Sequence, residues 1–308
     1  MGQFAFILFT LGIGALLRRT RTLPSGTHRV LNAVVVNLSL PAFTLLHLHR
    51  LPFDSQALFP IAMAWILFLS GAGFIFLLGR ARDWSPQTMG ALILTGGLAN
   101  TSFVGFPMLE ALFGPEALSV GVLTDQPGSF LVLSTLGVGV ASLAASTELS
   151  LSQTLRQTLR RVLSFPAFHA MVAALALSRY DYPEAISITL ERFSVTLVPL
   201  ALLSVGLQLE INGARLKFHT PRIVAGLLFK LVLGPALIAL LYLRAFGAQG
   251  TEISISIIQA AMPPMIMGAV LANDYDLEPE LANLMVGIGI PISFLTVPAW
   301  YWLLQRLN

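Results

Sequence analysis

The chain has 308 residues, 56% of them hydrophobic and 11% charged, with a mean hydropathy of +0.79 and no cysteine. A soluble domain carries about 25% charged residues and one core cannot bury this much apolar surface, so a water-soluble protein is excluded. The net charge of +3 does not point to nucleic acid, because the basic residues scatter over loops without forming a stripe; without cysteine, disulfides and thiolate metal sites are excluded too.

Apolar stretches long enough to cross a bilayer recur along the whole chain. They predict ten spans, roughly 3–17, 28–48, 57–79, 88–113, 117–142, 165–178, 184–209, 222–243, 252–273 and 280–304. No basic residue precedes the first, and Arg18, Arg19 and Arg21 follow it, which reads as a retained helix rather than a secretory signal. With both termini outside, the inner loops hold Arg18, Arg19, Arg21, Arg29, Arg80, Arg82, Arg156, Arg160, Arg161, Arg215, Lys217 and Arg222, twelve of the 18 basic residues. The positive-inside bias favours that orientation. The longest loop, 143–164, carries Leu151, Leu155, Leu159 and Val162 at helical spacing with Arg156, Arg160 and Arg161 between them. It reads as a cytoplasmic linker with a short interfacial helix.

The two sides of that linker match. Pro41 in the second span corresponds to Pro199 in the seventh, and Asn100 in the fourth to Pro264 in the ninth. Fifteen residues beyond each of the latter pair stands a Pro-Glu dipeptide, Pro115-Glu116 and Pro279-Glu280, suited to starting a helix. Five spans per half is odd, so the halves, 1–142 and 165–308, enter the membrane from opposite sides. The fold class is therefore an all-α membrane protein of ten transmembrane helices in two inverted five-helix repeats, a plan shared by many secondary transporters.

Spans four and nine are interrupted. LANTSFVGFP places Asn100, Thr101, Ser102, Gly105 and Pro107 at mid-depth, and AAMPPMIMG does the same with Met262, Pro263 and Pro264. An unpaired backbone group in hydrocarbon costs several kcal/mol, so a break there needs protein or a water-filled cavity to satisfy it. Two breaks at matching positions of inverted halves predict crossing half-helices whose N-termini suit an anion. Asn100, Thr101, Ser102, Pro263 and Pro264 are the candidate substrate-binding residues, with Gly105, Pro107 and Met262 shaping the breaks.

Asp125 and Gln126 lie about 10 Å into span five at 1.5 Å per residue, and an acid within a span is a functional candidate by default. It reads as a holder of a coupling proton or sodium ion. Lys230 in span eight reads either as snorkelling to the inner face or as a counter-charge for Asp125 or for the substrate. Gln208 and Gln259 read as packing contacts, His47 and His49 as interfacial, and His169 as a hydrogen-bonded residue in a packed interior. No HExxH, GxSxG or facing pair of aspartates points to an enzyme, and no cofactor or metal is expected beyond a coupling ion.

LANTSFVGFPMLEALFG, AMPPMIMGAVLANDYDLEPELAN, the closing VPAWYWLL and the midchain VPLALLSVGLQL together resemble the auxin efflux carrier family, with its plant carriers and bacterial malonate-transporter-like members. The resemblance implies a fold like that of bile-acid symporters and sodium–proton antiporters. It implies a scaffold of spans one, two, six and seven, and a transport domain of spans three to five and eight to ten that moves as an elevator. It implies a homodimer through the scaffold, and a role for Asn100 in holding a substrate carboxylate. Pro263 matches the family's proline at the second break, whereas Pro264 stands where plant members have a polar residue, and the long central loop of plant carriers is missing. The expected function is therefore a secondary carrier of small organic anions in a bacterial cytoplasmic membrane, with a sodium–proton antiporter or sodium-coupled symporter of the same fold as the alternative.

Overall fold

The computed structural model describes residues 2–49, 55–145, 153, 156, 159, 160, 162–208 and 213–307, with the backbone alone for 55 and 213–218. Its regular elements are all helices. Seven are long and apolar enough to cross a membrane: α1 (Gly2–Thr20), α2 (Thr27–Leu48), α3 (Leu58–Ala81), α6 (Ala117–Ala144), α8 (Glu184–Gln208), α9 (His219–Ala245) and α12 (Pro279–Leu307). A shorter apolar helix, α7, spans Pro166–Ala176. The expected fourth span is two short helices, α4 (Pro86–Gly96) and α5 (Gly105–Phe113). The expected ninth is likewise α10 (Thr251–Ala260) and α11 (Ile266–Asp274). Of the proposed interfacial helix, Leu151, Leu155 and Arg161 lie outside the described residues; Arg156, Leu159 and Arg160 are helical and exposed.

The chain sorts into two compact units. The first comprises Met1–Asp54, Ser102–Val122 and Arg161–Leu209. Within it α1 lies on α8 at a glycine contact. A Cβ on Gly14 would stand 2.6 Å from the Leu203 carbonyl oxygen, and one on Gly206 would strike the Leu11 carbonyl oxygen. Small residues let membrane helices approach backbone to backbone, where dispersion replaces the hydrophobic drive that lipid does not supply. Polar pairs add to this packing: Ser204 Oγ donates to Asn32 Oδ1 at 2.5 Å, and the Ser39 and Thr196 hydroxyls bond at 2.8 Å. His49 is buried and stacks on Tyr182 with ring centroids 4.0 Å apart. His169, expected in a packed interior, is exposed, and its ring bonds the Leu163 carbonyl at 2.6 Å. That carbonyl lies just ahead of α7, which begins at Pro166.

The second unit comprises Ser55–Thr101, Leu123–Arg160 and Glu210–Asn308. Its centre is built from the helices that flank the two breaks. Residues 90–96 of α4 and 253–260 of α10 are all buried. Helices α3 and α12 expose Leu69, Leu77 and Leu295 by 57%, 71% and 76%, as suits helices that face lipid. α4 starts on a proline, and the Ser85 side chain accepts the Thr88 N–H, so one free donor of the first turn is satisfied. α12 starts on Pro279 with Glu280 in its positive first turn, as the Pro-Glu pattern predicts. The other pair stands just ahead of α6, which begins two residues after Pro115.

α6 and α9 are not regular throughout. Residues 124–130 and 133–137 of α6, and 229–233 and 240–245 of α9, are π-helical. Pro127 lies inside the first of these and has no N–H to give, so the helix accommodates it by widening. The widened turn exposes the Pro127 carbonyl, which accepts the Trp65 indole N–H at 3.2 Å.

Candidate functional site

The two breaks meet within the second unit. The Asn100 N–H donates to the Pro263 carbonyl at 2.9 Å, and the Met265 N–H donates to the Leu98 carbonyl at 3.2 Å. Ala99 and Pro264 thus face each other as an antiparallel bridge. In such a ladder the residues between two bonds exchange none of their own. Pro264 occupies that position, so its missing N–H removes no ladder bond, and Pro263 is used only as an acceptor. This is how backbone freed from two helices is satisfied away from water: each break pairs with the other.

The prolines also need room. A Cβ at Gly289 of α12 would stand 2.5 Å from Pro264 Cδ, and one at Gly268 of α11 would collide with the Leu94 carbonyl oxygen of α4. Both glycines lie where another chain segment passes against the helix backbone.

Around the pairing lies a buried polar cluster. Thr101 Oγ1 donates to Asp125 Oδ1 at 2.6 Å, and Gln126 Nε2 donates to Asp125 Oδ2 at 2.8 Å. Gln259 Nε2 donates to the Thr101 carbonyl at 3.2 Å. Asn100, Thr101, Asp125, Gln126 and Gln259 are each at most 3% exposed. Each oxygen of the carboxylate accepts a bond, which is the condition for burying an acid without leaving it unsatisfied. Gln126 Oε1 and Gln259 Oε1 are buried acceptors with no hydrogen-bond partner among the described residues. Asp125 thus joins the first break through Thr101, and Gln259 ties that break to the last turn of α10.

Lys230 does not snorkel. It has no exposed surface, and its Nζ donates to the Ala260 carbonyl at 2.6 Å. Ala260 ends α10, where carbonyls lack intrahelical partners and the dipole is negative. The Nζ group therefore caps the broken helix, and the lysine stem lies in the protein instead of reaching for a surface.

Of the other expected site residues, Met262 and Pro263 are buried in the second break, while Ser102, Gly105 and Pro107 belong to the first unit, where α5 resumes at Gly105. Gln208 is a packing residue, donating to Ser204 of its own helix at 3.0 Å. Gln259, which sequence reasoning assigns to packing, is part of this buried cluster. Its signal was position: it stands on the last turn before the Pro-Pro break. Glu110, half-buried on α5, is another acid within a span that sequence reasoning passes over.

A multi-pass helical membrane protein whose interrupted helices pair at buried polar residues has the form of a membrane transporter. The model of the membrane transport protein family matches residues 1–301, and the chain belongs to that family, the auxin efflux carriers. An uncharacterised transporter of Methanothermobacter thermautotrophicus is 25% identical over 96% of this chain and 95% of its own length. One of Methanocaldococcus jannaschii is 26% identical over 90% and 89%. Auxin efflux carrier component 8 of Arabidopsis thaliana is 25% identical over 68% of this chain and 69% of its own.

Proposed function

We propose that the protein is a secondary transporter of small organic anions of the carboxylate class, working by alternating access of an elevator type. The observation that carries the reading is the pairing of Asn100 with Pro263 beside a buried polar cluster. Irregular backbone at membrane depth is tolerated where it is buried in protein or lines a cavity, and secondary transporters build their sites from such discontinuous helices. Asn100 supplies an amide that both donates and accepts, Thr101 and Ser102 supply hydroxyls, and Pro263 and Pro264 keep the second break open. The N-terminus of α11, at Ile266, adds partial positive charge.

We count the seven long apolar helices, each broken pair as one crossing and α7 as a short one, as ten crossings. We take them as two inverted halves, 1–142 and 165–308, joined by the linker 143–164. The second compact unit is the moving body and the first the scaffold. The grouping of α1, α2, α7 and α8 in one unit, and of α3, α9, α10, α11 and α12 in the other, supports this division. Residues 102–122 fall with the scaffold helices, although the elevator division assigns them to the moving body. Asp125, with Gln126, holds the coupling proton or sodium ion, and Lys230 stabilises the break beside it. The oxygens of Gln126 and Gln259, buried with no hydrogen-bond partner among the described residues, support a cation as the species held. The protein sits in a bacterial cytoplasmic membrane with both termini outside, as a homodimer through the scaffold.

The test is a thermal-shift screen of the purified protein against small mono- and dicarboxylates, with and without sodium and across pH. A ligand that binds the folded state raises its melting temperature. A carboxylate that stabilises wild type but not Asn100→Ala supports the reading. Stabilisation by no carboxylate under any condition contradicts it.

A further inference from the structure

The half-helices α4 and α11 are joined twice. At one end the bridge between Ala99 and Pro264 ties the two breaks together. At the other, the turn that leads from α11 into α12 closes on the start of α4. Leu277 of that turn is fully buried, and a Cβ on Gly90 of α4 would stand 3.1 Å from its Cδ1. The next residue makes a polar contact, in which Thr88 Oγ1 donates to Glu278 Oε1 at 2.8 Å. We propose that Glu278 is a positioning residue for transport, clamping α4 and α11 into one frame that fixes where Asn100 stands at the first break. The assignment rests on the transport reading above.

The backbone at Glu278 is strained. Asp276, at φ 53°, owes its left-handed conformation to the way α11 ends, with the Leu277 N–H on the Ala272 carbonyl at 2.8 Å. Glu278, at φ 44°, lies beyond that closure. Glycine alone takes this region freely, and a residue ahead of a proline, here Pro279, is normally held in extended backbone. Strain of this kind persists where surrounding contacts over-determine it, and it gathers at functional positions. Here those contacts are the buried Leu277 side chain and the bond from Thr88, which has no exposed surface.

Helix electrostatics explain why the residue is an acid. The first turn of α4 has no acid of its own, and its cap is the Ser85 side chain, whose hydroxyl lies 3.0 Å from that of Thr88. Glu278 brings an acid to the positive end of this helix from 190 residues further along the chain. Arg222 Nη1 of α9 stands 3.7 Å from the same oxygen, so three segments meet at one carboxyl group. From Thr88 to Gly96, where α4 stops short of the break, is about 12 Å at 1.5 Å per residue. A change at the clamp therefore reaches Asn100 along one packed helix.

The experiment uses the full-length protein in reconstituted vesicles and has two readouts. The chain has no cysteine, so Gln87→Cys on α4 and Val270→Cys on α11 place a pair of spin labels without background. Glu278→Ala and Thr88→Val should each broaden the distance distribution between the labels. Glu278→Gln keeps an acceptor for Thr88 and should retain the wild-type distribution. The second readout is counterflow of radiolabelled malonate and propionate, without the labels. Glu278→Ala and Thr88→Val should each raise the apparent KM about fivefold with Vmax retained. The double variant should be no worse than either single, and Glu278→Gln should stay near wild type. A lower melting temperature with unchanged distances and unchanged KM would make the contact purely structural and overturn the proposal. A glutamine variant as impaired as alanine would assign the effect to the charge facing Arg222 and overturn the clamp through Thr88. A wild type that carries neither probe counts against the transport reading alone; the distances still decide the clamp, and an unchanged distribution in Glu278→Ala overturns it.

Discussion

Asp125 and Thr101 are the residues at which burial and chemistry are tied most closely. A carboxylate with 3% exposure stays in place because each of its oxygens accepts a bond, one of them from the Thr101 hydroxyl at 2.6 Å. Leaving one partner of a buried hydrogen bond unsatisfied costs about 1–3 kcal/mol. Thr101→Val keeps the shape and removes that donor, so it should destabilise the protein by about that amount, while Thr101→Ser should recover most of it. Melting in detergent reads the difference; a valine variant as stable as wild type would mean that this bond does not satisfy Asp125. Asp125→Asn removes the charge and keeps the size. On the proposed ion coupling, it should still exchange substrate between the two faces of a vesicle but lose the response to an imposed pH or sodium gradient. Uptake under each gradient, wild type beside variant, decides this, and identical responses would assign Asp125 a structural role.

At the scale of elements, the account rests on two broken helices satisfying each other. The pairing depends on Pro264 fitting against Gly289 of α12. Gly289→Ala would place a methyl 2.5 Å from the Pro264 ring, and overpacking of this kind costs about 1–3 kcal/mol. Pro264→Gly removes the ring that the methyl meets, so the double variant should be less damaged than the sum of the singles, a coupling measurable as a double-mutant cycle. Strict additivity would mean the two sites are independent. Pro264→Leu should impair transport more than Pro264→Gly or Pro264→Ser, because leucine favours regular helix where the chain must leave it; vesicle uptake reads this, and wild-type uptake by the leucine variant would contradict it. The breaks themselves were legible in the sequence, since prolines and polar residues interrupt apolar runs there. Their direct pairing was not, because residues 98–100 and 263–265 are remote in the chain and no local pattern encodes a bridge between them. The snorkelling reading of Lys230 fails for a related reason. Its type and depth suggest snorkelling, and only the tertiary position of the α10 C-terminus provides the carbonyl that keeps it inside. The π-helical turns of α6 and α9 also escape a reading based on a fixed helical period, although Pro127 marks one of them.

For the whole molecule, composition and apolar periodicity were sufficient to read a multi-pass helical membrane protein, because lipid restricts spanning structures so severely. The chain divides into two compact units in which residues 102–122 group with α1, α2, α7 and α8. That grouping follows from long-range packing, which span counting does not contain. Substrate class is the least legible property, since it depends on how a few polar groups are presented and not on which spans carry them. The central claim is that Asn100, at the first break, binds a small organic anion during transport. It is tested most directly by counterflow in reconstituted vesicles loaded with the carboxylate that stabilises wild type best, comparing wild type with Asn100→Ala. The account predicts saturable counterflow in wild type and, from loss of a polar partner worth about 1.5–3 kcal/mol to a charged ligand, an apparent affinity ten- to a hundredfold weaker in the variant. Counterflow of the same affinity in both proteins would contradict it.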